Sequence, residues 1–136
     1  TRPPLATRAD RPERHPDQPG QPALRRVWVR TVDRLPDDFN LHRAILAYFS
    51  DYGLITTLLM PHGIQINDPR LMMASPHHAM WFHRQVQMNE WLFVEQWPGT
   101  AENNRGLAHG RVWDRAGELV ASFNQEALMR IDDDNT

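Results

Sequence analysis

Cysteine is absent from the 136 residues. That absence removes disulfides, thiolate zinc sites and a cysteine nucleophile together. It fits a reducing compartment, and a cytoplasmic location is the expectation. No uninterrupted apolar run reaches the roughly 18 residues that read as a membrane span, and no secretory leader is visible. Charge of one sign is lacking too: 15 Lys and Arg stand against 17 Asp and Glu, a formal net charge of −2. Bulk electrostatics therefore points to neither nucleic acid nor an anionic membrane as partner.

The length suits one domain able to bury a sizeable core. Six of the eleven prolines fall in residues 1–23, among scattered arginines and few large apolar side chains. Such a segment cannot bury enough surface to offset its ordering entropy, so 1–23 reads as a linker or disordered lead-in. A docking arm for a partner is the alternative. The folded domain is expected over 24–131, with 132–136 an acidic tail.

Within that domain "LRRVWVRTV" alternates as a strand, and "LPDDFN" supplies capping residues. "LHRAILAYFSDYGLITTLLM" carries the strongest helical pattern. Leu41, Ala44, Ile45, Tyr48, Tyr52 and Ile55 share one stripe, while His42, Arg43, Ser50 and Gly53 fall away from it. Leu46 and Leu54 lie on the far side, so the helix is apolar over much of its circumference and reads as wrapped by other structure. Four strands follow, at about 71–84, 90–97, 105–114 and 118–130, with "PGTAENN" and "DRAG" as turns. One strand, one long helix and four successive strands make an α+β fold, an antiparallel sheet packed on a central helix.

Three polar residues interrupt this pattern. Asp51 sits at the edge of the helical stripe, where a carboxylate needs hydrogen bonds or access to water. Gln125 is the single polar member of the apolar set Leu119, Ala121, Phe123, Gln125, Ala127 and Met129, and a buried amide must find partners. Ser75 precedes Pro76 at the start of "SPHHAMWFHR", and no G-x-S-x-G elbow surrounds it. Each has a plainer role open to it: a solvated carboxylate, a glutamine bonded to backbone, a strand-end serine.

The histidines of "SPHHAMWFHR" are the more conspicuous candidates. On a strand, His77, Ala79, Trp81 and His83 point one way, and His78, Met80 and Phe82 the other. His77 and His83 share a face but stand about 20 Å apart, too far for one metal ion. No metal and no other cofactor is expected. His62 and His109 are isolated.

"AMWFHR", then "NEWLF", then "RGLAHGRVWDRAGELVASFNQEALMR" resemble the C-terminal half of the acyl-CoA thioesterase II family. "LAYFSDYGLI", "MPHG" and "RRVWVRTVDRLPDD" fit the same family in the same order, so the resemblance covers about residues 24–131. It implies a hotdog fold, a long helix wrapped by a curved antiparallel sheet, and hydrolysis of fatty acyl-CoA thioesters. It implies a catalytic trio at Asp51, Ser75 and Gln125, the residues already singled out. There are departures. His77 stands where the family usually has an acidic residue, and Pro76 where it has an apolar one. Gln85 and Val86 replace a proline and an aromatic, and Ala127 replaces a glycine.

The resemblance implies that the missing N-terminal hotdog helps build the acyl and CoA site. The chain is thus expected to be a fragment or a half-length protein. Its expected partners are an acyl-CoA substrate and a second hotdog domain, met through an edge strand and the helix surface. A non-catalytic acyl-CoA-binding or assembly half is the alternative. A hotdog dehydratase ranks last, because no histidine neighbours Asp51 in the sequence.

Overall fold

The computed structural model describes residues 5–9 and 24–132. Strands β1 (Leu5–Ala9) and β2 (Arg25–Thr31) precede helices α1 (Phe39–Ser50) and α2 (Leu54–Leu59) and a 3₁₀ turn at Met60–His62. Then come β3 (Leu71–Phe82), β4 (Leu92–Glu102), β5 (Arg105–Trp113) and β6 (Leu119–Ile131). The strands form one antiparallel sheet in the order β1-β2-β4-β5-β6-β3. This sheet wraps the helices in a hotdog arrangement. Leu46, Phe49, Leu54 and Leu58 from the helices pack with Val29, Val94, Val112, Phe123 and Ala127 from the sheet. Full burial of one such leucine or phenylalanine contributes roughly 1.5–3 kcal/mol.

The buried face of α1 is not the apolar stripe of the sequence. His42, Leu46, Phe49 and Ser50 point inward, whereas Tyr48 and Tyr52 are more than half exposed. Hydrogen bonding explains the inversion. His42 Nδ1 accepts from the Met88 N–H at 2.9 Å, and its Nε2 meets Pro36 O at 2.9 Å. With both ring nitrogens satisfied, an imidazole buries as readily as an apolar side chain. The helical stretch Phe39–His62 also proves long and apolar enough, by length and composition alone, to cross a membrane. The sheet wrapped around it supplies the apolar surroundings of a core helix.

Two other boundaries differ from expectation. Leu5–Ala9 lies inside the segment read as a lead-in, yet it pairs with β2, Leu5 opposite Thr31. Strand pairing satisfies backbone groups and needs no apolar side chains, so composition did not reveal it. Residues 10–23 lie outside the described residues. In the second case, "PGTAE" belongs to β4. An irregularity between Pro98 and Thr100 absorbs the proline. The turn shrinks to Asn103 and Asn104, both at positive φ (53° and 60°), as two-residue hairpins prefer.

Candidate active site

Asp51 follows the last helical residue of α1 and closes it as the C-cap. The chain then breaks: Tyr52 N–H donates to Phe49 O at 2.8 Å, and Gly53 adopts φ +73° before α2 starts. A second layer holds the break. Gln96, fully buried on β4, donates from Nε2 to Tyr52 O at 3.0 Å and accepts from Arg25 Nη1 at 2.7 Å. A Cβ on Gly53 would stand 2.7 Å from Arg25 Cζ. The backbone freedom of glycine is therefore required here for both its φ and its space. The Gln96 clamp had no signal in the sequence, because it spans elements that pair only after folding.

Gln125 projects from β6 toward Asp51 and is 1% exposed. Its single Nε2 donates to Asp51 Oδ1 at 2.8 Å and to Ser75 Oγ at 2.6 Å. The three residues singled out in the sequence thus meet at one point, from a helix end and two strands. The amide orientation follows from charge: a carboxylate oxygen can only accept, so nitrogen must face Asp51. Gln125 Oε1 is buried with no hydrogen-bond partner among the described residues. An unpaired buried acceptor costs about 1–3 kcal/mol. The contacts of Nε2 hold the side chain in place against that cost.

Ser75 reaches the site through a break in register. On β3, Ala74 opposes Leu128 and His77 opposes Glu126. Ser75 and Pro76 together face the single residue Ala127, a β-bulge. Pro76 has no N–H to lose from the ladder there. The extra residue switches the side-chain parity of the strand. Met73 and Ser75 lie on the helix side before the bulge, and His78, Met80 and Phe82 after it, with Ser75 and His78 still exposed to solvent.

His78 is the residue that sequence reasoning passed over. It pairs directly across from Gln125, and its Nε2 lies 2.8 Å from Ser50 Oγ, on the residue before Asp51. The fold thereby brings a histidine beside the Asp51 turn that the linear sequence lacks. His83 bonds Ser122 at 2.9 Å, away from the site, and His109 packs against the Trp97 ring. Beside Asp51, the Tyr52 phenol is held above its ordinary pKa. Its hydrogen bond to Tyr48 is the main cause and the Asp51 carboxylate the smallest.

This arrangement offers a carboxylate acceptor, a hydroxyl and a buried amide around one point. Both Nε2 hydrogens of Gln125 are committed. The Ser75 O–H is free to donate, because Ser75 Oγ is an acceptor toward Gln125. Such a set can bind and orient one water molecule beside an electrophilic carbonyl.

A family model described as acyl-CoA thioesterase matches residues 5–128. Acyl-CoA thioesterase 2 of Haemophilus influenzae is 34% identical over 110 residues, covering 81% of this chain and 38% of that protein. Acyl-coenzyme A thioesterase 8 of Mus musculus is 37% identical over 107 residues, covering 76% of this chain and 32% of that protein. The crystal structure of an acyl-CoA thioesterase II from Mycobacterium marinum superposes with a TM-score of 0.81 at 35% identity. It covers 98% of this chain and 52% of that one. The chain thus spans only a third to a half of the length of these proteins.

Proposed function

This chain belongs to the acyl-CoA thioesterase family, and on that premise we propose that it hydrolyses acyl-CoA thioesters to free acid and CoA, using Asp51, Ser75 and Gln125. One observation carries the reading: the Gln125 amide nitrogen donates at once to Asp51 and Ser75, at 2.8 and 2.6 Å. A water bound here gives one hydrogen to Asp51 and turns a lone pair toward the thioester carbonyl. Asp51 accepts the proton as the water attacks. Ser75 fixes the direction of attack, and Gln125 locks the two against each other. The tetrahedral intermediate collapses as the carbon–sulfur bond breaks, and the proton held by Asp51 passes to the departing sulfur, which leaves as the CoA thiol. The reaction passes through no covalent acyl-enzyme.

The length of the chain supports a second element of the proposal, that a further hotdog unit completes the acyl and CoA site. It also favours a competing reading, in which this half binds acyl-CoA or assembles with a partner without turnover. Asp51→Asn in the intact protein, assayed by release of CoA thiol, separates the two. Substitution of a catalytic base is expected to lower kcat by about 10²-fold or more. Turnover within threefold of the parent removes Asp51 from the mechanism. Acyl-CoA binding without hydrolysis by the parent favours the binding module.

A further inference from the structure

We propose that His78 is a positioning residue for Asp51, acting through Ser50; the proposal rests on the hydrolytic reading of the site. Ser50 is fully buried, and its hydroxyl carries one hydrogen. Its Oγ lies 2.6 Å from Ala47 O. Two oxygens that close need the proton between them, and a carbonyl cannot supply it. The hydrogen in the 2.8 Å contact between Ser50 Oγ and His78 Nε2 therefore comes from the imidazole. His78 carries its proton on Nε2 and donates.

His78 is exposed to solvent, and one aromatic contact holds its ring. It stacks on Phe123, with centroids 6.3 Å apart and planes 25° from parallel, and Phe123 belongs to the core. Its backbone sits in register opposite Gln125. The bulge at Ser75–Pro76 turns His78 inward at all. One side chain thus ties the strand pair that carries Ser75 and Gln125 to the last turn of the helix that carries Asp51. The Gln125–Asp51 bond joins elements 74 positions apart in the chain. Drift of the helix end lengthens it, and His78 opposes that drift one residue upstream. His78 touches neither substrate nor water in this scheme.

The test uses the intact protein. His78→Leu and Ser50→Ala are each expected to lower kcat about tenfold with KM within about twofold, the signature of lost orientation rather than lost binding. His78→Gln retains an N–H₂ at the reach of Nε2 and is expected to recover most of that loss. The double variant His78→Leu/Ser50→Ala is expected to be no slower than the slower single one, because both act through one contact. Nitrogen-15 NMR is expected to show His78 protonated on Nε2. The Gln125 side-chain amide resonances are expected to move in His78→Leu and Ser50→Ala but not in His78→Gln. A kcat for His78→Leu within twofold of the parent, glutamine no better than leucine, or protonation on Nδ1 overturns the proposal. Should the parent release no CoA, the hydrolytic reading falls. The Gln125 amide resonances then decide the positioning role alone, and their failure to move overturns it.

Discussion

Ser75 and His78 stand three positions apart on β3 and both face the helix: Ser75 Oγ meets Gln125 at 2.6 Å, and His78 Nε2 meets Ser50 at 2.8 Å. An unbroken strand sends side chains three apart to opposite faces. The pair of residues Ser75 and Pro76 opposite Ala127 resolves the conflict. The site is therefore built on a register shift as much as on residue identity.

Deleting Pro76 leaves Ser75 alone opposite the buried Ala127 and two places before His78, so plain alternation is expected to keep both on the inward face. The deletion variant should then keep kcat within about threefold of the parent, whereas Ser75→Ala should lose about tenfold to a hundredfold. The protein should remain folded by circular dichroism. A deletion variant as slow as Ser75→Ala shows instead that the bulge itself, and not the place opposite Ala127, aims Ser75.

Gln125→Leu separates catalysis from stability. Leucine removes a buried amide whose Oε1 has no partner and keeps similar bulk. Asp51 and Ser75 are exposed to solvent and can bond water once the amide is gone, so the urea midpoint should shift by about 1 kcal/mol equivalent or less. Turnover is expected to fall about a hundredfold, because Asp51 and Ser75 lose their common donor. A large loss of stability with turnover preserved would assign Gln125 to the scaffold instead.

Pairing with a second hotdog unit is expected where the fold leaves backbone and aromatic surface open. Among the described residues β3 is an edge of the sheet, and a sheet edge favours strand addition. Tyr48, Tyr52 and Trp81 are 58%, 52% and 51% exposed. The chain produced by itself should therefore run as a dimer or larger species in size-exclusion chromatography with light scattering. A well-folded monomer at micromolar concentration would falsify this expectation.

Much of the molecule was legible before folding. Period-two alternation placed Gln125 among apolar neighbours, and it is buried there. The helix, most of the strands and the α+β class followed from periodicity. The apolar stripe failed on α1, because His42 and Ser50 are buried by virtue of hydrogen bonds to partners far along the chain. β1 was missed because its pairing depends on backbone, not on the composition of "LATRA". Pro98 and Gly99 read as a turn because a bulge that keeps a strand going looks locally the same.

The sequence by itself determined which polar side chains stand out of pattern: an aspartate at a helix edge, a glutamine in an apolar row and a serine before a proline. It determined the class of fold as well, since hydrophobic period is a local property of the chain. Tertiary structure alone decided that these three meet, that His78 joins them through Ser50, and that Ser75 faces in. Those outcomes depend on register between strands and on hydrogen bonds across dozens of residues. Neither is encoded in any short window of sequence, because each exists only once distant backbone segments lie side by side.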